Sequence, residues 1–195
     1  YTFYDTADAP HSSRVNNNSE NITLGKTSTG IRMDREYKNI GGKAYNSKNS
    51  KISSTAEKVT GMMAYTANKQ HPTGDTNDFE IGNYGEINLS GDRSTGMYLT
   101  GKGKATVRNT GGGRPSGMTT GGEGRIIIGD SKDVNRPGIG MYSDNPNGLI
   151  DNATNYAIIE IGKNGIGMAG VNKTKVENAW GTIIIKGDNS IGMYL

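Results

Sequence analysis

The sequence predicts an all-β protein wound as a right-handed parallel β-helix, a solenoid of about seven coils belonging to a longer rod. Three observations carry that expectation. Glycine supplies 30 of the 195 residues, roughly twice its ordinary share of about 7%, which argues against long helices. A short β-rich phrase recurs along the chain: a branched aliphatic run, a turn glycine, a polar turn, then Gly followed by Met or Ile. The phrase is nearly constant in length while the stretches between copies vary, as expected of rungs joined by unequal loops.

The copies can be read in chain order. Ile22-Thr-Leu-Gly-Lys-Thr-Ser-Thr-Gly30-Ile is the first. Ile52 leads to Gly61-Met, with Ala56 where a turn glycine is expected. Ile87-Asn-Leu-Ser-Gly-Asp-Arg-Ser-Thr-Gly96-Met-Tyr-Leu is the third. Val107 leads through Gly111 to Gly117-Met118, a looser copy. Ile126-Ile-Ile-Gly129 reaches Gly140-Met-Tyr142 through a longer turn. Ile159-Glu-Ile-Gly-Lys-Asn-Gly-Ile-Gly167-Met and Ile183-Ile-Ile-Lys-Gly-Asp-Asn-Ser-Ile-Gly192-Met-Tyr-Leu complete the set. From the first aliphatic to the second glycine the distances are 8, 9, 9, 10, 14, 8 and 9 residues.

In each phrase the first and third residues of the aliphatic run share one strand face, and in Gly-Met-Tyr-Leu the Met and Leu do. One such unit cannot bury that face alone, whereas stacked copies can. Two internal columns follow: Ile22, Ile52, Ile87, Val107, Ile126, Ile159 and Ile183, and Ile31, Met62, Met97, Met118, Met141, Met168 and Met193. Branched residues suit the strands of the first, and Met adapts to irregular gaps in the second. The turn glycines are expected to serve positive φ or crowding. A Gly-rich sandwich or trimeric fibre fits the fixed phrase less well, and propeller blades need longer repeats.

Residues 1–195 read as a single array, with projecting loops near 34–50, 65–84 and 143–156. The chain stops at Met193-Tyr194-Leu195, in mid-phrase beside Gly96-Met-Tyr-Leu-Thr, which is why a longer rod is expected.

Composition limits the chemistry. With no cysteine, disulfides, thiolate zinc sites and cysteine nucleophiles are excluded. A net charge of +3 from 22 basic and 19 acidic residues, without a basic run, does not suggest nucleic acid. No stretch approaches 18 apolar residues, so no membrane insertion by this segment is expected. Gly111-Gly-Gly-Arg114 lacks the Lys-Ser/Thr ending of a phosphate loop. His11 and His71 are the only histidines, so a zinc site would have to be completed by carboxylates, and none is expected. The Asp130, Asp133, Asn135 turn and the 144–151 loop carry oxygens that suit calcium but not the calcium-loop spacing; they read as turns bonding their own backbone. Neither cofactor nor metal is expected.

An enzyme requires converging groups. Asp92, Asp130 and Asp188 each follow a turn glycine and could line one edge. Lys26 and Lys163 occupy the same step in other copies, so the row reads as turn polarity rather than a carboxylate pair. No catalytic residue is assigned. Binding candidates are the outward tyrosines Tyr98, Tyr142 and Tyr194, whose amphipathic rings can stack on sugars or anchor a protein. His71, Asp75 and Phe79 of the 65–84 segment are added because loops on one side of a solenoid often carry binding.

The phrase Gly-x-Ile-x-Ile/Leu-x-Gly-Asp-x-Ser-x-Gly-Met-Tyr, at 85–98 and 181–194, resembles repeats in the passenger regions of very large fusobacterial autotransporter adhesins. The resemblance implies a rod exported by type V secretion to the bacterial cell surface. It also implies anchoring in the outer membrane by a C-terminal barrel absent from this sequence. It implies a non-enzymatic role in attachment, with a host-cell glycan or receptor protein, or a partner bacterial surface, as ligand. It supplies no binding residue. A passive spacer within the rod is the alternative expectation, and a polysaccharide-processing β-helix a more distant one.

Overall fold

The computed structural model of the chain describes residues 13–18, 20–35, 42–66, 79–101, 106–109, 124–144, 152–172 and 174–195. They form eighteen strands: β1 (Ser13–Asn17), β2 (Asn21–Thr23), β3 (Thr29–Arg35), β4 (Gly42–Asn46), β5 (Lys51–Ser54), β6 (Thr60–Thr66), β7 (Phe79–Asn83), β8 (Glu86–Leu89), β9 (Thr95–Gly101), β10 (Thr106–Asn109), β11 (Arg125–Ile128), β12 (Gly138–Asp144), β13 (Asn152–Asn155), β14 (Ile158–Ile161), β15 (Gly165–Val171), β16 (Lys175–Asn178), β17 (Thr182–Ile185) and β18 (Ile191–Tyr194).

Every third strand joins the same sheet. The three six-stranded sheets run β1-β4-β7-β10-β13-β16, β2-β5-β8-β11-β14-β17 and β3-β6-β9-β12-β15-β18, and all pairings are parallel. Three consecutive strands therefore make one rung, and six rungs stack about 4.8 Å apart. This is a three-sheet parallel β-helix, consistent with the right-handed winding that parallel crossovers take.

Both expected columns form, each one member short. Ile22, Ile52, Ile87, Ile126, Ile159 and Ile183 are successive register partners in the second sheet. Ile31, Met62, Met97, Met141, Met168 and Met193 are successive partners in the third. The expected seventh coil is corrected to six rungs. Ile87 pairs directly with Ile126 and Met97 with Met141, so no rung stands between them. Val107 instead sits in the first sheet, between Ile81 and Ala153. Met118 lies outside the described residues.

The first sheet was largely hidden in the expected loops. β4 lies within 34–50, β7 within 65–84 and β13 within 143–156. Its inward residues include Ala44 and Ala153, too small to give a clear hydrophobic period. Within those spans, 36–41, 67–78 and 145–151 lie outside the described residues.

Close approach explains the glycines. A Cβ on Gly30, Gly61, Gly96, Gly140 or Gly167 would lie 2.4 to 2.6 Å from the carbonyl oxygen of the equivalent glycine one rung on. It would also lie 2.6 to 3.0 Å from Cγ2 of that rung's column isoleucine. Glycine is therefore what lets isoleucine fill the corner. The left-handed turn residue is a different one. Thr27, Lys58, Arg93, Asn164 and Asn189, each three positions before the stacked glycine, have φ between 54° and 60°. Of the two reasons expected for the turn glycines, crowding applies at Gly91, Gly129, Gly162 and Gly187, where a Cβ on Gly129, for instance, would meet Ser90 backbone at 2.7 Å, while at Gly25 nothing lies within 4 Å.

Candidate functional site

The outward face of the third sheet is set by alternation along each strand. In β9, Met97 and Leu99 point inward and are fully buried while Tyr98 is half-buried. In β12, Met141 and Ser143 are inward and Tyr142 is outward. Tyr98 and Tyr142 are register partners. Their rings stack with centroids 5.1 Å apart and 20° between planes, within the range that offset aromatic pairs favour. No residue intervenes, because the two strands are adjacent rungs.

Along this column the outward residues are Arg32, Met63, Tyr98, Tyr142, Ala169 and Tyr194. Tyr194 is thus two rungs from Tyr142, with Ala169 between, and is 52% exposed. A parallel outward column holds Asp34, Tyr65, Thr100, Asp144 and Val171. Asp144 accepts a hydrogen bond from Asn172 Nδ2 at 2.8 Å. Arg32 Nε donates to Asp34 at 2.8 Å. Burial, then Asp144, then Tyr98 push the Tyr142 phenol above its ordinary pKa, so it is protonated at neutral pH. The face therefore offers stacked rings and, one column over, a carboxylate.

Of the six candidates, the structure brings Tyr98 and Tyr142 together and leaves Tyr194 apart. His71 and Asp75 lie outside the described residues. Phe79 opens β7, where its backbone pairs with Gly42.

The polar step of the turns is occupied by rung-to-rung bonds. Asp92 Oδ1 accepts from Lys132 N at 2.9 Å, and Asp130 Oδ1 from Lys163 N at 2.7 Å. Glu57 lies between Lys26 and Arg93, and these hydrogen bonds lower its pKa to about 2. Glu160, 3% exposed, pairs with Lys186 and Arg125, which hold its carboxyl below the usual range. Asp133 Oδ1 accepts from Asn135 N at 2.9 Å within its own turn. Among the described residues no group of three His, Asp or Glu side chains is placed to hold a metal.

One set of residues went unread in the sequence. Every first-sheet strand ends in asparagine: Asn17, Asn46, Asn83, Asn109, Asn155 and Asn178. Their side chains form a continuous ladder. Nδ2 of each donates to Oδ1 of the next, at 3.0, 2.9, 2.9, 2.9 and 2.8 Å in order. Each Nδ2 also donates to a backbone carbonyl at the adjoining corner, as Asn109 does to Ile158 at 3.1 Å. The available signal was an asparagine four to six residues before the column isoleucine in five of the six rungs.

No protein-family model, curated protein or solved structure matches this chain.

Proposed function

We propose that this chain is a non-enzymatic section of a bacterial surface adhesin, and that the tyrosine face of its third sheet contacts the attachment partner. The Tyr98–Tyr142 stack supports this most directly. Two half-exposed rings lie parallel on a stiff sheet, and ordering them costs a ligand little because packing already fixes them. Flat apolar ring faces beside a carboxylate suit a glycan, whose sugar rings stack and whose hydroxyls need polar partners. A receptor protein could use the same anchors. The repeat resemblance supplies the cell-surface setting.

The spacer reading has its own support. The acidic side chains Glu57, Asp92, Asp130 and Glu160 are committed to neighbouring rungs, as in a part that only transmits length. The two readings divide on the double variant Tyr98→Ser/Tyr142→Ser, which leaves every inward residue unchanged. If the face binds, the variant keeps its circular dichroism spectrum and loses at least tenfold in affinity for epithelial cells and partner oral bacteria. Unchanged binding by the folded variant would remove this face from the account.

A further inference from the structure

A groove of about 460 Å³ opens on the outer face of the second sheet, within the range of about 300–1,000 Å³ that small-ligand clefts occupy. Its floor is one register column, Asn21, Lys51, Glu86, Arg125 and Ile158, on successive rungs. One wall is the corner between the first two sheets. That corner takes four residues in the second rung, 47–50, and two in the third, Tyr84 and Gly85. The longer turn is closed by Ser50 N donating to Ser47 O at 2.9 Å. A Cβ on Gly85 would lie 2.3 Å from Ser50 O and 2.4 Å from Ser47 O, so glycine is what lets this wall lie against the next rung.

The charge around the groove is unbalanced. Lys51 Nζ pairs with Glu86 at 2.9 Å, and Glu160 takes both Arg125 and Lys186. With Lys48 on the wall, that makes four cations against two carboxylates. The side chains of Asn21, Lys48 and Asn49 have no hydrogen-bond or ion-pair partner among the described residues. Arg125 keeps guanidinium donors beyond the one on Glu160, and Lys51 keeps ammonium hydrogens beyond the one on Glu86. Burial raises the Glu86 pKa, but hydrogen bonds from Lys51 and Asn88 hold it below the usual range. Glu86 is therefore ionised at neutral pH and can only accept hydrogen bonds.

We infer that this groove binds a saccharide carrying one carboxylate, an acid of the hexuronic or sialic type. Lys48 and the open edge of Arg125 take the carboxylate, since charge-assisted hydrogen bonds are the stronger ones. Glu86 and the amides of Asn21 and Asn49 take ring hydroxyls, which both donate and accept. Ile158, half-buried at the end of the floor, meets an apolar C–H face. Glu86 also argues against a polyanion, such as a sulfated chain or an acidic peptide, whose successive charges it would repel at mid-column. The site is on the second sheet and does not depend on the tyrosine face of the third.

The test is an amide-resolved NMR titration of the folded 195-residue chain. Galacturonate and N-acetylneuraminate are titrated in separate arms, with neutral galactose, a heparin oligosaccharide and a glutamate peptide as controls. Saturable shifts are expected at 48–51, 85–86 and 125 with at least one of the two acids, and the tighter arm separates a uronic from a sialic acid. Galactose is expected to bind at these positions at least tenfold more weakly. Lys48→Glu, at an exposed side chain with no partner to lose, is expected to weaken the acid at least tenfold and to leave the rest of the amide spectrum in place. Tyr98→Ser/Tyr142→Ser is expected to leave acid binding unchanged, so that this site and the tyrosine face fail separately. Four results would overturn the inference. They are no shift at these positions with either acid, an equal response to galactose, and tighter binding of the heparin oligosaccharide or the glutamate peptide. The fourth is acid binding that survives Lys48→Glu.

Discussion

At Gly96 a methyl group would sit 2.5 Å from the carbonyl oxygen of Gly140 and 2.6 Å from Cγ2 of Ile126. Backbone cannot yield as a flexible side chain can, so Gly96→Ala is expected to cost about 3 kcal/mol. Gly192→Ala makes no such contact and is expected to leave stability within about 0.5 kcal/mol of the parent. Urea unfolding of the two variants checks the pair. Glu57 illustrates a second residue-scale effect. Its folded pKa of about 2 lies below the ordinary value of 4.5. A depressed carboxylate stabilises the fold above its unfolded pKa, and that contribution fades as pH falls through the folded one. Glu57→Gln is therefore expected to flatten the loss of stability between about pH 4.5 and pH 2. Thermal melts across that window measure it. At this scale Tyr98 and Tyr142 were legible, because both hold the residue after Met in the phrase. Their stacking followed once the rungs on either side proved to be adjacent. The separation of Tyr194 is equally simple: Ala169 occupies the intervening rung.

At the scale of the element, the asparagine ladder and the aliphatic columns divide the work of holding rungs in register. Burial drives stacking but does not choose between neighbouring registers of similar residues; directional hydrogen bonds do. Replacing Asn109 by alanine removes the ladder bond from Asn83 Nδ2 and those to Asn155 Oδ1 and the Ile158 carbonyl. The expected loss is about 3 kcal/mol, since each buried polar group left unmade costs about 1–3 kcal/mol. Asn178→Ala, at the half-exposed end of the ladder, is expected to lose less than about 1 kcal/mol. Hydrogen exchange along β7, β10 and β13 would show the difference. The second and third sheets were legible because Ile-x-Ile and Gly-Met set large side chains at fixed intervals. The first sheet was not. Val15, Ala44 and Ala153 give little hydrophobic contrast. Asparagine ordinarily marks turns, so its place in a buried ladder runs against its usual reading. For the same reason Val107 passed as the head of a phrase. Local spacing does not distinguish one sheet's branched residue from another's.

At the scale of the whole molecule, six rungs stack with parallel pairing, continuous columns and charged turns tied from one rung to the next. Such an object is nearly one-dimensional, and each rung answers chiefly to its neighbours. It suits a role in which a face or a distal site is held at a distance. Each third-sheet strand from β3 to β15 is followed along the chain by a first-sheet strand. The most direct measurement is saturable binding of the folded 195-residue chain to epithelial cells and partner oral bacteria, with free galactose as competitor in a parallel arm. The account predicts saturable binding by the wild-type chain, through the face that Tyr98 and Tyr142 define. A folded chain that binds none of these surfaces would contradict it and leave this section a spacer.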